Sequence, residues 1–219
     1  MARLHRADGT PGRLGAMELD AAIRQRRMVR SFADRPLPEG LVERMVDTAL
    51  RAPTAGNTRG TAWVVLEGPD QTARYWLAAT DPGWRARSRR WAGLSRAPAV
   101  AVSVCSPAAY AARYAEADKR GNGDPGTAGW PVPYWVADAA FGVMALLLEV
   151  TAEGLGACFL GNFRHEDSVL AALGVPGEWR LFGAVAIGHP DGTDHRSGSL
   201  DRPGPDRAAR LHRGGWRAT

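Results

Sequence analysis

The sequence predicts a single β-sheet covered by helices on both faces. The predicted elements follow the order helix, helix, strand, helix, strand, helix, long helix, strand, helix, strand, which is neither strict strand–helix alternation nor a run of strands. A length of 219 residues suits one domain or two very small ones. With 45% apolar and 23% charged residues, most of the chain is neither disordered, nor collagen-like, nor coiled coil.

Two amphipathic helices are predicted first, over 18–27 and 39–51. The segment 29–32 between them is predicted to be extended, and Pro53 ends the second helix. The apolar face of the first helix consists of Leu19, Ala22 and Ile23.

Four short apolar runs are typical of strands inside a sheet. They lie at 62–66, 98–105, 157–160 and 181–187. Further helices are predicted at 71–79, 108–116, 136–153 and 166–173. An arginine-rich stretch, 84–91, fits either helix or loop.

The most apolar stretch, 136–150, contains two acidic residues, Asp138 and Glu149. A membrane-spanning helix needs about 20 largely uncharged residues, so this stretch predicts a buried helix instead. Residues 1–16 have no apolar region of the kind found in a secretory signal; they are rich in Gly and Arg and predict a flexible extension. We therefore expect no membrane association.

Positive charge is concentrated at the two ends of the chain. Residues 1–30 hold seven arginines against three acidic residues, and 202–219 hold five against one, so the middle has a net charge of −3 against +5 for the whole chain. Arginine binds phosphate in bidentate geometry. The nearly neutral middle of the chain argues against a continuous surface for nucleic acid, and the terminal arginines suit a phosphorylated small ligand equally well. The alternative without a ligand is a general arginine bias of the genome.

Neither the cysteines nor the histidines predict a bound metal or a disulfide. Cys105 and Cys158 lie in apolar runs without a CxxC pair, which is typical of two buried thiols in a cytoplasmic protein. The five histidines have no metal-ligand spacing.

Three segments carry candidate chemistry, and each also has a purely structural explanation. Arg26, Arg27 and Arg30 lie at a helix-to-strand corner, which suits either a phosphate monoester or a solvated helix end. The turn 53–59 offers a hydroxyl, an amide and backbone N–H groups to a polar heterocycle, or is an ordinary turn. The small residues of 154–162 let a flat ligand approach the backbone, or serve helix–strand packing.

Four motifs follow one another along the chain: RRxVRSF at 26–32, APTxGN at 52–57, GLGACFLGNF at 154–163 and GAVAIGHP at 183–190. In this order and spacing, the chain resembles the nitroreductase family of FMN-dependent oxidoreductases over roughly 17–190. The resemblance implies an α+β fold, a three-layer α/β/α sandwich around a mixed sheet of four to five strands. It also implies a homodimer with two FMN sites at the subunit interface, each built from both chains.

The implied organisation has three parts. Residues 1–16 are the flexible N-terminal extension, 17–193 form the FMN-binding domain, and 194–219 form a tail that packs on the partner subunit.

The resemblance also assigns residues to the cofactor. The implied cofactor-binding residues are Arg26, Arg27, Met28, Arg30, Pro53, Thr54, Ala55, Asn57, Leu160, Gly161 and Arg202. Arg30 would place positive charge beside the N1/C2 carbonyl edge of the flavin, and the backbone of Leu160 and Gly161 would lie near its ring. No catalytic side chain is implied, since the flavin carries the chemistry.

Several positions depart from the family pattern. Met28 stands where a serine is usual, which removes one phosphate contact, and Arg59-Gly60 replaces a common Gln-Pro pair. The usual C-terminal basic pair is not clear, and Arg202 and Arg207 are approximate candidates.

A Gly-rich stretch, 121–129, falls at the variable substrate-side excursion of the family and is expected to be mobile. Trp130, Tyr134 and Trp135 follow it and are the expected substrate-side residues. Their rings suit stacking on a planar substrate, or else fill the dimer core.

The resemblance thus implies a cytoplasmic oxidoreductase that uses FMN. NAD(P)H is the expected hydride donor, and an electron-poor organic molecule such as a nitroaromatic or a quinone is the expected acceptor. One alternative on the same fold is a flavin-dependent oxidase or dehydrogenase, or a specialised reductase of a biosynthetic intermediate. The other is a non-catalytic flavin- or nucleic-acid-binding protein, although no nucleic-acid partner is expected.

Overall fold

The computed structural model describes residues 17–120, 127–162, 164–194, 198–204, 206 and 209–216. The predicted extension over 1–16, most of the predicted excursion over 121–129, and Arg207 lie outside the described residues. Four strands form one sheet: β1 (Thr61–Glu67), β2 (Ala99–Cys105), β3 (Gly156–Leu160) and β4 (Arg180–Gly188). All four lie where the apolar runs predict them.

Nine α-helices surround this sheet in the part of the chain that the structure describes. They are α1 (Leu19–Gln25), α2 (Leu41–Ala49), α3 (Gly68–Ala79), α4 (Pro82–Arg87), α5 (Trp91–Leu94), α6 (Pro107–Tyr114), α7 (Ala117–Arg120), α8 (Tyr134–Ala152) and α9 (Glu166–Leu173). Short 3₁₀ helices cover Ala55–Asn57, Thr127–Gly129 and Gly198–Asp201.

The arginine-rich stretch 84–91, for which the sequence fits either helix or loop, contains both helix and turn. Helix α4 begins at Pro82, where the side chain of Asp81 accepts a hydrogen bond from the backbone N–H of Trp84 at 2.7 Å. It ends at Arg87, and a turn separates it from α5.

The strand order of the sheet is β1-β2-β4-β3, and each neighbouring pair of strands is antiparallel. The resemblance implies a mixed sheet, but these four strands pair only in antiparallel fashion. Among the described residues, the parallel pairing is a single bridge between Met28 and Ala157 at the β3 edge. The connections explain this difference. The chain leaves and re-enters the sheet at the same end between β1 and β2 and between β3 and β4, which makes each pair antiparallel. The connection through α8 crosses the sheet, but it joins β2 and β3, which β4 separates.

Side-chain alternation along the strands builds a core on each face of the sheet. In β2, Val100, Val102 and Val104 belong to one core, and Ala99 and Ala101 belong to the other. Helices α3, α5 and α9 cover the first core, and α2 and α8 cover the second. The α+β class and its three layers are therefore confirmed.

Helix α8 is buried on one side only, although the sequence predicts a buried helix. Its inner face packs on the sheet and on α2, and Leu146 and Val150 are fully buried there. Its outer face leaves Phe141 52% and Met144 42% exposed. Among the described residues it is the one helix long and apolar enough to span a membrane, yet its inner face is part of the core.

Helix α1 lies against α8 and extends this exposed surface. Ala22 of its predicted apolar face is buried, but Leu19 and Ile23 are 65% and 50% exposed. We call the exposed apolar side chains of the two helices the outer apolar face. It consists of Leu19, Ile23, Val136, Phe141 and Met144. A group of large exposed apolar side chains of this kind marks an interaction surface.

Candidate functional site

The segment after α1 places the predicted arginines at the β3 edge of the sheet. The backbone N–H of Arg26 still bonds to the carbonyl of Ala22 at 2.9 Å, and the chain then leaves the helical conformation. The backbone N–H of Val29 donates to the carbonyl of Ala157 in β3 at 2.8 Å. We call residues 26–30 the arginine corner.

The three guanidinium groups of this corner are in different situations. Nη1 of Arg27 donates to the carbonyls of Arg24 at 2.6 Å and Arg26 at 2.8 Å, the usual role of a cation at a helix C-terminus. Nη1 of Arg30 donates to the carbonyl of Met28 at 3.0 Å. Nη1 of Arg26, in contrast, is buried and has no hydrogen-bond partner among the described residues. An unpaired buried donor costs about 1–3 kcal/mol, so Arg26 suits an anionic ligand.

The Met28 side chain is used inside the fold. Its Sδ accepts a hydrogen bond from the backbone N–H of Phe159 at 3.4 Å. A ligand at the arginine corner would therefore contact the backbone of Met28 and not its side chain. The backbone N–H of Arg30 donates to Oδ2 of Asp194 at 2.8 Å, which fixes the corner from the other side. No sequence pattern predicts this contact of Asp194, because Asp194 lies in a polar loop without periodicity.

A second carboxylate, Asp191, holds Ser31, the residue that directly follows the arginine corner. Its Oδ2 accepts hydrogen bonds from the hydroxyl of Ser31 and from Nη2 of Arg96, both at 2.7 Å. Hydrogen bonds from the Thr193 backbone N–H and the Ser31 hydroxyl lower the pKa of Asp191 from 3.8 to about 2. Asp191 is therefore an ionised acceptor at neutral pH.

The turn between α2 and β1 leaves Asn57 exposed in a special backbone conformation. Gly56, Asn57 and Arg59 have positive φ angles of 62°, 53° and 55°. Asparagine tolerates this region better than arginine does. Nε of Arg113 donates to the carbonyl of Gly56 at 2.9 Å, and the Arg59 N–H donates to Oγ1 of Thr54 at 3.0 Å. Thr54 thus stabilises the turn in which a ligand contact is predicted.

Asp138 anchors this turn from α8. It is 4% exposed, and its Oδ2 accepts hydrogen bonds from the backbone N–H of Ala55 at 2.7 Å and from the hydroxyl of Tyr110 at 2.6 Å. Burial, together with this hydrogen bond, raises the pKa of Tyr110. In the sequence, Asp138 stands out only as a charge in an apolar stretch. Its spacing from Leu146 and Val150, in steps of four residues, places it on the buried face of the helix but does not identify its partners.

The predicted substrate-side aromatic residues gather beside the same turn. The ring of Trp130 lies 4.7 Å from that of Tyr114 and 5.1 Å from that of Tyr134, and it stacks on Trp135 at 6.2 Å, measured between centroids. Tyr114 touches the turn, since a Cβ on Gly56 would lie 2.9 Å from its ring. The structure therefore brings Trp130, Tyr134 and Trp135 to the turn at 53–57.

Leu160 and Gly161, at the end of β3, form part of the wall of a cavity of about 360 Å³. Helices α3, α4 and α5 provide further lining residues, and Asn162, Arg164 and His165 complete the lining. The oxygen Oδ1 of Asn162 accepts a hydrogen bond from the buried hydroxyl of Tyr75 at 3.1 Å.

The structure divides the predicted cofactor-binding residues into two groups. The arginine corner, Leu160 and Gly161 lie at the β3 edge, whereas the turn at 53–57 precedes β1 at the other edge. Strands lie about 4.8 Å apart, so the three spacings from β1 to β3 separate the two groups by about 14 Å. The two groups are therefore not in contact within one chain.

Arg202 follows the 3₁₀ helix Gly198–Asp201 and is exposed. Within the described part of the chain, no hydrogen bond or ion pair joins it to the arginine corner. Trp216, in the same tail, is 82% exposed. A contact between Arg202 and a phosphate, and the packing of the tail on a partner, both stay predictions.

Comparison with known proteins agrees with this fold. The model of the Nitroreductase family matches residues 23–189. An NADH dehydrogenase from Thermus thermophilus is 28% identical over 196 residues, which cover 81% of this chain and 89% of that protein. A solved nitroreductase family protein from Clostridium novyi NT has a TM-score of 0.62 at 20% identity, covering 83% of this chain and 89% of that one.

A second solved structure, an FMN-dependent nitroreductase from Clostridium difficile R20291, also has a TM-score of 0.62, at 16% identity. The match covers 89% of this chain and 98% of that one. These two likenesses concern the fold, while the residues that match the family model include the arginine corner, the turn at 53–57 and the end of β3. The chain belongs to the Nitroreductase family.

Proposed function

We propose that the chain is an FMN-dependent oxidoreductase that works as a homodimer. The observation that carries this proposal is the division of the cofactor-binding residues between the β3 edge and the β1 edge of one sheet. In a symmetric dimer, the arginine corner of one protomer faces the turn at 53–57 of its partner, and each of two equivalent sites becomes complete.

The outer apolar face supports the dimer. Phe141 and Met144 project from the most apolar helix of the chain, and Leu19 and Ile23 project from the helix beside it. Covering these side chains removes apolar area from water, which is worth about 25 cal/mol per Å². Asp138, on the same helix α8, holds the turn at 53–57 through the Ala55 N–H. An interface that covers the outer apolar face therefore lies near this turn.

The residues present fit FMN. The buried and unpaired Nη1 of Arg26 suits one oxygen of a phosphate, and Arg30 adds a second positive charge at the same corner. The exposed amide of Asn57 and the backbone of the turn can bond to the polar edge of a flavin. When bound, FMN supplies the hydride transfer between NAD(P)H and an electron-poor organic acceptor.

The chain's own residues then have binding and orienting roles. Asp138 and Arg113 hold the turn in the conformation that exposes Asn57. Trp130 and Tyr134 provide flat surfaces beside that turn, which suit stacking on a planar acceptor. The name of the Thermus thermophilus relative supports a nicotinamide donor.

The first test is the visible absorption spectrum of the purified protein. We expect bound flavin, in a ratio of one FMN per chain, and a dimer by light scattering. A colourless protein that gains no flavin absorbance when FMN is added would contradict the proposal.

The second test is the Arg26→Ala variant. Loss of a charge-assisted contact is worth about 1.5–3 kcal/mol, so the Kd of FMN should rise roughly ten- to a hundredfold. Arg24→Ala is the matched control, because Arg24 is 76% exposed and pairs with Asp20 on the same helix. Equal FMN affinity in both variants would mean that the corner is only a helix end.

A further inference from the structure

We propose that Arg90 is a further cofactor-binding residue: together with Arg30, it places two positive charges beside the flavin ring and favours the reduced form of that ring over the oxidised form. None of the four sequence motifs includes Arg90. The inference rests on the proposed function, because it concerns the FMN that Arg26 and Arg30 are proposed to hold.

Helix α5 lies directly against the arginine corner. The backbone N–H of Phe32 donates to the carbonyl of Gly93 at 3.3 Å. A Cβ on Gly93 would lie 2.5 Å from the carbonyl oxygen of Arg30 and 2.8 Å from Oγ of Ser31, so this close approach requires glycine. Arg90, the residue that precedes α5, is therefore held next to the corner.

Aromatic packing fixes α5 in this position. The ring of Trp91 packs edge to face against that of Trp76, with centroids 5.8 Å apart, and against that of Trp84 at 6.1 Å. Leu94, at the other end of the helix, is buried in the first core. Helix α5 is thus attached to the core on one side and to the arginine corner on the other.

The positive charge of Arg90 acts at the same place as that of Arg30. The Arg90 side chain is exposed, and its guanidinium has no hydrogen bond or ion pair with another described residue. Burial raises the pKa of the Cys158 thiol in β3, while the charges of Arg30 and Arg90 both lower it. Asp194 acts against both arginines, and its Oδ2 already accepts the Arg30 backbone N–H at 2.8 Å. Two guanidinium groups therefore lie within electrostatic range of one sulfur atom at the β3 edge.

The position of Arg90 favours the flavin ring over the phosphate. Arg26 has the buried and unpaired Nη1 that suits the phosphate. Residues 26–30 run along β3, so about 13 Å separates the Cα atoms of Arg26 and Arg30. Arg90 adds its charge at the Arg30 end, and the family resemblance implies that Arg30 lies beside the N1/C2 carbonyl edge of the ring.

Two positive charges at this edge favour the reduced ring. The neutral oxidised ring takes up a hydride, which is two electrons and one proton, and the reduced ring then carries one negative charge. A nearby guanidinium stabilises this charge, so it raises the midpoint potential. The phosphate carries the same charge in both forms, and a contact with the phosphate alone would leave the potential unchanged.

The experiment measures the two-electron midpoint potential of the protein with bound FMN, by equilibration with a reference dye at pH 7, together with the Kd of oxidised FMN. The proteins compared are the wild type, Arg90→Ala, Arg90→Lys and Arg87→Ala. Arg87→Ala is the matched control, because it removes the same charge from the same exposed stretch, while the charge of Arg87 acts on Asp81.

We expect Arg90→Ala to weaken the binding of reduced FMN about two- to fivefold more than that of oxidised FMN. Since a tenfold change corresponds to about 30 mV for a two-electron couple, the midpoint potential should fall by about 10–20 mV. Arg90→Lys keeps the charge, and Arg87→Ala removes a charge elsewhere. Both should stay within about 1.5-fold, or about 5 mV, of the wild type.

Two results would overturn the inference. One is a midpoint potential of Arg90→Ala within about 5 mV of the wild type, even if the Kd of FMN rises, because any contact would then be with the phosphate. The other is an equal fall in Arg90→Ala and Arg87→Ala, which would reflect net charge alone. If the wild type holds FMN and either result is found, the proposed function stands without this role of Arg90. A wild type that binds no FMN would overturn both.

Discussion

Removal of the Asp138 carboxylate should both destabilise the fold and release the turn at 53–57. Asp138 is 4% exposed, and its Oδ2 is the acceptor for the Ala55 N–H and for the hydroxyl of the fully buried Tyr110. Hydrogen bonds to a charged acceptor are worth about 1.5–3 kcal/mol each, and removal of the acceptor leaves the donors unpaired. Asp138→Ala should therefore lower the free energy of unfolding by about 3–5 kcal/mol.

Two milder variants separate the parts of this effect. Asp138→Asn keeps an oxygen in place but loses the charge, and Tyr110→Phe removes one donor and leaves the Ala55 bond. Each should lower the free energy of unfolding by about 1–2 kcal/mol. In the double variant the two losses should be smaller than additive, because both changes remove the same interaction.

The assay is thermal unfolding followed by far-UV circular dichroism at one fixed protein concentration. For a chain of this length, 1 kcal/mol shifts Tm by about 2–4 °C, so Asp138→Ala should lower Tm by about 6–20 °C. The control is Asp47→Ala at an exposed position of α2, which should change the stability by no more than about 0.5 kcal/mol. A Tm of Asp138→Ala within about 2 °C of the wild type would refute the assigned role of Asp138.

Two other predictions concern packing and acid stability. Gly60→Ala places a methyl group against the ring of buried Tyr110 and should lower the free energy of unfolding by about 1–3 kcal/mol. The control is Gly177→Ala, whose methyl group meets no atom within 4 Å. Equal midpoints of urea unfolding for the two variants would show that the Tyr110 ring moves aside. Asp191 has a lowered pKa, so its contribution to stability is complete above its ordinary pKa of 3.8 and is lost as the pH falls through about 2. Wild type and Asp191→Asn should thus differ in Tm near neutral pH and converge near pH 2, and a constant difference would contradict this.

The strands could be predicted from sequence because their signals are local. Strand β2 is an apolar run interrupted only by Ser103, and all of its residues are buried between two helix layers. The outer face of α8 could not be predicted in the same way. Apolar residues such as Phe141 and Met144 predict that both faces of the helix pack against other surfaces. They do not show whether the sheet of the same chain or another surface packs there.

The cofactor residues could be predicted as motifs but not as a site. Arg26 and Asn57 lie in recognisable segments, yet their separation across the sheet depends on the strand order, which hydrophobic periodicity does not give. Asp138 was missed for a related reason. Its partners, Ala55 and Tyr110, are 83 and 28 residues away in sequence, so no local pattern connects them.

In the proposed homodimer, each FMN site combines the arginine corner of one chain with the turn at 53–57 of another. Co-expression of Arg26→Ala and Asn57→Ala chains with different affinity tags yields a mixed dimer that can be purified through both tags. In that dimer, one site carries both substitutions and the other carries neither.

The decisive measurement is the number of FMN molecules that the mixed dimer binds with wild-type affinity. Sites shared between chains predict one such FMN per mixed dimer, although each parent homodimer binds weakly at both of its sites. If the mixed dimer binds no FMN with wild-type affinity, both groups of residues act within a single chain, which would contradict a site shared between two chains.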